Sequence, residues 1–167
     1  MVKGGKLLRT RRSSSESEKR IQEMFMGKKD IGIFIDRVPG KGLGVVALQH
    51  FFSQDIICEY VGEKISLEES RFRLSNLTKE QGSYILDVER RGRKSFSIDA
   101  TKNNGRMGRF VNHSCKPNSK VETRLYNEEI RVVLVAKQTI GIGDEITYDY
   151  RDRSKEAIKA NPWLANA

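Results

Sequence analysis

At 167 residues the chain has room for one domain and too little for two. Hydrophobic residues make up 37% and charged residues 32%, figures that suit a single modest core. No apolar run approaches the roughly 18 residues of a membrane span, and the basic start MVKGGKLLRTRR lacks the apolar stretch of a secretory signal. Of the net charge of +9, residues 1–29 carry +6, from nine Lys or Arg and three Glu, so a basic arm is attached to a nearly balanced remainder. Such an arm points to a polyanionic partner such as DNA; the plain alternative is a solvated tail. The only cysteines, Cys58 and Cys115, form neither a zinc spacing nor a disulfide framework, which fits a reducing compartment.

Residues 1–12 read as irregular. Ser13, Ser14 and Ser15 ahead of Glu16 and Glu18 predict a helix start with acids in its first turn, running through Arg20, Ile21, Met24 and Phe25 to about Gly27. The pattern then changes to short β-branched runs at 33–37, 44–48 and 55–61, the first gap punctuated by Pro39, Gly40 and Gly42. Ser66 followed by Glu69 predicts a capping box and a helix through Phe72 to Leu77. Residues 84–88 and 95–98 suit a hairpin around Gly92. Strands are expected at 130–136 and, after a turn at Gly141 and Gly143, at 145–150. Ser154 can cap a short helix to Ala160 that Pro162 ends. The expected class is therefore β-rich α+β, made of small sheets with a helix at each end.

Four segments carry candidate chemistry: PGKGLG at 39–44, EYVGE at 59–63, GRFVNHSCKPN at 108–118 and DEITYDY at 144–150. Singly, each has a plain reading. PGKGLG serves as a glycine turn and lacks the spacing of a phosphate loop. His113 and Cys115, with His50 and Cys58, would make four metal ligands, but without familiar zinc spacing. The tyrosines of TYDY serve equally as packed strand residues.

In this order and together, the four segments resemble the SET-domain protein lysine methyltransferases, over a stretch from about Gly32 to Leu164. The tail YDYRDRSKEAIKANPWL is similar to the C-terminal flank of the small enzymes that monomethylate lysine twenty of histone H4. The resemblance implies small curved β-sheets with a C-terminal pseudoknot, in which the segment of Asn112 and His113 threads beside the strand leading to Tyr150. It divides the chain into a basic arm and flanking helix at 1–29, a SET domain at 30–151 and a closing segment at 152–167. It implies S-adenosylmethionine as cofactor, held by Lys41, Gly42, Leu43, Tyr84, Asn112 and His113, with Trp163 over the adenine; the plain role for Trp163 is a hydrophobic anchor for the last helix. Gly42 and Gly44 would let backbone approach this ligand closely. No metal is implied.

Methyl transfer to lysine is an in-line displacement, so a donor pocket and a lysine channel must meet. Tyr60, Tyr148 and Tyr150 are the candidate channel walls and catalytic residues. Aromatic walls accept the aliphatic stem of lysine and disfavour its charged form, and the nucleophile must be the neutral amine. Tyr150 matches the family's catalytic tyrosine, and Tyr148 its product switch, which as tyrosine implies monomethylation.

Two departures from the family stand out. Cysteine-rich zinc flanks are missing, so Ile158, Pro162, Trp163 and Leu164 are candidates for closing the site by packing. Arg151 stands where many relatives have glycine. Asp87 and Glu89 are candidates for lining a groove for a basic histone tail, or else a solvent-facing pair. The expected partners are a histone tail, that of H4 in nucleosomes, and DNA through residues 3–12; the expected location is the nucleus and its chromosomes. The competing readings are a SET enzyme for another histone or non-histone lysine, a non-catalytic SET chromatin-binding module and a basic nucleic-acid-binding protein.

Overall fold

The computed structural model describes residues 14–27, 29–77 and 83–150. Residues 1–12 of the basic arm, Arg151, the expected helix from Ser154 to Ala160 and the expected closing residues Pro162, Trp163 and Leu164 lie outside the described residues. Among those described, no helix is long and apolar enough to cross a membrane.

Helix α1 spans Ser14–Met26, with Glu16 in its first turn. It is followed by strands β1 (Ile33–Val38), β2 (Gly42–Ala47), β3 (Ile56–Glu59) and β4 (Glu63–Ile65), and by helix α2 (Leu67–Ser75). Strands β5 (Ile85–Arg90) and β6 (Arg93–Asp99), a single 3₁₀ turn at Gly108–Phe110, β7 (Asn112–His113), β8 (Ser119–Tyr126), β9 (Glu129–Ala136) and β10 (Glu145–Tyr148) complete the order. Half of the expected capping box forms: the Ser66 hydroxyl accepts from the Glu69 amide at 3.1 Å, satisfying one of the orphan donors at the start of α2, while the Glu69 carboxylate accepts from Arg73 Nε at 2.7 Å. The β5–β6 hairpin turns on Arg91 and Gly92, both at positive φ, the conformation whose twist matches antiparallel strands.

Three small sheets result, ordered β1-β2-β10-β7, β3-β9-β8 and β4-β6-β5. Strand β8 was not anticipated. Its sequence SKVETRLY carries charges at alternate places and lacks a run of β-branched residues. Its turn, Asn127-Glu128, has both residues at positive φ without the glycine that signals such a hairpin. Full antiparallel pairing with the apolar β9, from Ser119↔Ala136 to Tyr126↔Glu129, holds it in place.

β9 is buried on both faces, and its alternation distributes side chains to two cores. Val132, Leu134 and Ala136 join the main core between the sheets, with Val45, Phe51, Ile57, Val111, Ile140 and Ile146. Val133 and Val135 point the other way, onto Met24 and Phe25 of α1. The amphipathic helix therefore has a specific seat. Arg20 secures it further, its guanidinium donating to the Ile56 and Ile57 carbonyls of β3.

The pseudoknot is a two-residue parallel ladder, with Thr147 opposite Asn112 and Tyr148 opposite His113. So short a ladder needs side-chain help. Asn118 supplies it by mimicking a strand edge: its Oδ1 accepts from Thr147 N at 2.9 Å and its Nδ2 donates to Glu145 O at 2.7 Å. The buried Ser119 hydroxyl donates to Thr147 O at 2.8 Å.

Candidate active site

The fold brings residues as far apart as Lys41 and Tyr150 to one open cleft of about 1060 Å³. Tyr60, Tyr148 and Tyr150 converge on it, together with Lys41, Leu43, Tyr84 and Asn112. Tyr60 follows β3, Tyr148 ends β10 and Tyr150 comes two residues later, so the aromatic wall is assembled from two sheets. The Tyr148 and Tyr150 ring centroids lie 4.7 Å apart. The Tyr60 hydroxyl donates to the Tyr84 carbonyl at 2.9 Å, and the Tyr150 hydroxyl to the Val111 carbonyl at 2.8 Å. Burial pushes all three phenols well above the ordinary tyrosine range; neighbouring phenols add to it at Tyr60 and Tyr148, and Tyr84 and the Glu145 carboxylate add to it at Tyr150. They are neutral donors at physiological pH.

Beside this wall lies a polar one. Asn112 Nδ2 donates to the Leu43 carbonyl at 3.1 Å and to Glu145 Oε1 at 2.9 Å; Lys41 Nζ meets Glu145 Oε2 at 2.9 Å. Gly42 sits at φ +83° in open space, so the turn itself demands glycine. Gly44 has a different reason. A Cβ there would stand 2.5 Å from Val38 Cγ2 and 2.8 Å from Asn112 Nδ2, so protein atoms take up the room that its missing side chain leaves.

His113 does not line the cleft; it is fully buried behind Tyr150, the ring centroids 5.4 Å apart. Its Nδ1 accepts from the Tyr150 backbone amide at 3.1 Å, and Nε2 lies 3.5 Å from Cys115 Sγ. That pattern places the proton of a neutral imidazole on Nε2. Asp149 Oδ1, at 3.7 Å from Nδ1, is beyond hydrogen-bond reach of a nitrogen that the amide already occupies. His113 thus fixes the backbone from which Tyr150 projects.

Asp87 and Glu89 both border the cleft. Asp87 is already engaged within its own hairpin, accepting from Ser97 at 2.6 Å and Lys94 at 2.7 Å. Burial alone would raise its carboxyl, but these bonds outweigh it and hold the group below the usual range. Among the described residues no group of three or more His, Cys, Asp or Glu is arranged to hold a metal.

Several residues of the site were not singled out from sequence. Arg109 lines the cleft with its guanidinium 3.8 Å from the Tyr84 ring centroid, and donates to the Ala100 and Thr101 carbonyls at 2.7 and 2.9 Å. It lies inside the signature at 108–118, which was the available signal. Behind the site, buried Asp30 accepts from Arg106 Nη2 at 3.0 Å and from the Met107 amide at 2.6 Å, and Arg106 reaches toward Glu59 at 3.5 Å. Nothing local in the sequence marks Asp30, because its partners stand more than 70 positions away.

A β-rich fold of small sheets, a parallel two-residue crossing and a tyrosine-walled cleft beside it define the class, and the SET domain family matches residues 42–151; the chain belongs to that family. It is 35% identical over 154 residues to the N-lysine methyltransferase KMT5A of Xenopus tropicalis, covering 91% of this chain and 46% of that protein. It is likewise 35% identical over 147 residues to the histone-lysine N-methyltransferase Set8 of Drosophila melanogaster, covering 87% of this chain and 21% of that one. The chain thus spans less than half the length of these relatives. Among solved structures it resembles the SET8 protein of Cryptosporidium, with a TM-score of 0.66, 24% identity, and coverage of 85% of this chain and 68% of that one, a likeness of fold.

Proposed function

We propose that the chain is an S-adenosylmethionine-dependent protein-lysine N-methyltransferase that monomethylates a histone tail, and that its site is lysine twenty of histone H4 in nucleosomes. Family membership and the names of the relatives support the reaction class. The observation that carries it is the meeting of Tyr60, Tyr148 and Tyr150 at the cleft that Lys41, Leu43 and Asn112 also line. The domain division follows as a proposal too: a flanking arm and helix at 1–29, the SET domain at 30–151 and a closing segment at 152–167.

The cleft fits the cofactor by the chemistry of its lining. It offers aromatic surface at Tyr84 and Phe110 and an ammonium at Lys41, at a size suited to a nucleoside joined to an amino acid. Lys41, Leu43, Tyr84 and Asn112 would hold it, with Gly42 shaping the turn, His113 bracing the wall behind and Trp163 expected over the adenine. When bound, it supplies an electrophilic methyl group on a sulfonium.

The protein's own part is positioning and desolvation. Tyr60, Tyr148 and Tyr150 surround the lysine stem with apolar ring faces, and their uncharged hydroxyls give no counter-charge to an ammonium, so the bound amine's pKa falls from its free value near 10.4. None of the three acts as a base at neutral pH, and the proton leaves to water. The Tyr150 hydroxyl and the Val111 carbonyl it bonds form a short oxygen pair at the pseudoknot that can orient the amine.

Tyr148 sets the degree of methylation by filling the space that a methylated amine needs in order to rotate. Mass spectrometry of peptide products should show mono-methyl lysine for the wild type and a shift toward di-methyl for Tyr148→Phe; an unchanged distribution would remove Tyr148 from this role. The arm at 3–12 is proposed to contact nucleosomal DNA. Deleting residues 1–12 should lower methylation of nucleosomes several-fold more than of free peptide and flatten its salt dependence; equal losses on both substrates would refute that contact.

A further inference from the structure

Glu145 opens β10 and does not itself line the cleft, yet it holds two residues that do. Its carboxylate is a fork: Oε2 takes the Lys41 ammonium and Oε1 takes the Asn112 amide, each at 2.9 Å. Asn112 is tied in turn to the Leu43 carbonyl at 3.1 Å. The fork joins three separate parts of the chain: the glycine turn, the pseudoknot strand β7 and the strand leading to Tyr148 and Tyr150.

One feature separates this fork from an ordinary surface ion pair: the space made for it, since a Cβ on Gly44 would come within 2.8 Å of Asn112 Nδ2 and 3.2 Å of Glu145 Oε1. Its value to folding is nevertheless modest. With side chains 29% and 22% exposed, Lys41 and Glu145 form a pair of the kind that contributes little to stability. Its consequences fall on the geometry and charge of the cleft wall.

We propose that Glu145 is a positioning residue for the methyl donor: it fixes Lys41 and Asn112 in the attitude they present to the cleft, and offsets the lysine charge. This rests on the reading that Lys41 and Asn112 bind the donor. Without Glu145 the lysine head is free to sweep on its four-carbon stem, and the Asn112 amide loses one of the two acceptors that orient it. The charge has its own effect. The donor carries a sulfonium, whereas its demethylated product has a neutral sulfur, so an uncompensated ammonium in the wall disfavours the donor more than the product.

The test is calorimetric binding of S-adenosylmethionine and of S-adenosylhomocysteine to the full chain and to Glu145→Gln, Glu145→Ala, Lys41→Met, Asn112→Ala and Lys41→Met/Glu145→Gln, with steady-state kinetics alongside. Glu145→Ala should weaken both ligands about tenfold, the size of one charge-assisted hydrogen bond. Glu145→Gln keeps an acceptor for Asn112 but not the charge, and should weaken S-adenosylmethionine more than S-adenosylhomocysteine. That excess should vanish in the double variant, because the charge acts through Lys41. KM for the donor should rise while kcat at saturation stays within about threefold, and the ligand-free melting temperature should hardly move.

Wild-type affinity in both Glu145 variants, with Lys41→Met or Asn112→Ala weakened, would overturn the proposal and leave the donor wall standing. No effect from Lys41→Met or Asn112→Ala either would sink the reading of the wall itself. A fall in kcat at unchanged KM, or a melting temperature lowered in step with affinity, would assign Glu145 to chemistry or to folding and overturn its positioning role.

Discussion

Burial decides the protonation of the three cleft tyrosines. A phenol held above its free value of about 10 stays neutral when the unfolded chain would ionise, so the folded state binds more protons at high pH. Its stability is therefore intact below about pH 10 and declines as pH rises beyond it. Ultraviolet titration of the native protein should show Tyr60, Tyr148 and Tyr150 still neutral past about pH 10, while in denaturant they ionise near 10. Ionisation of these three near 10 in the native protein would mean that the rings are solvated and the channel wet.

The β1–β2 hairpin shows how one element serves the site through absence of side chains. Gly42 and Gly44 stand two apart, and backbone conformation and surroundings tell them apart. Gly42→Ala meets no neighbour but forces a Cβ into a left-handed backbone, at a cost of roughly 1–2 kcal/mol. Gly44→Ala instead pushes on Val38 and Asn112, an overpacking cost of about 1–3 kcal/mol. Both should lower the denaturation midpoint by similar amounts. Gly44→Ala should in addition displace Asn112 and weaken S-adenosylhomocysteine binding, and calorimetry distinguishes the two.

At the scale of the whole molecule, the flank before β1 packs onto the sheets even though the family match begins at residue 42. α1 covers β9 through Met24 and Phe25, and Asp30, whose side chain has no solvent exposure, clasps Arg106 and Met107 just ahead of the signature. Breaking a buried pair strands a charge, so Asp30→Asn should cost about 3–5 kcal/mol in chemical denaturation. The loss should be accompanied by faster amide exchange in residues 106–112, since Asp30 holds the start of that segment. A surface-sized change below about 0.5 kcal/mol would show that the clasp is not formed in solution.

Much of this was legible along the chain, because the causes are local. Short β-branched runs and turn residues located most strands, Ser66 and Glu69 announced α2, and the four segments at 39–44, 59–63, 108–118 and 144–150 named the family and the tyrosine wall of the cleft. The polar strand β8 stayed hidden because its pairing with β9, not its own pattern, makes it a strand. Asp30 and Glu145 stayed hidden because a carboxylate acquires its role from its partners, which here lie 33 to 104 residues away. Short-range physics, the backbone preferences and side-chain periodicity of a few neighbouring residues, can be read in one dimension. The fork at Glu145, the brace behind Tyr150 and the neutral tyrosine wall exist only after the pseudoknot closes, since burial and hydrogen-bond geometry are properties of packed neighbours in three dimensions.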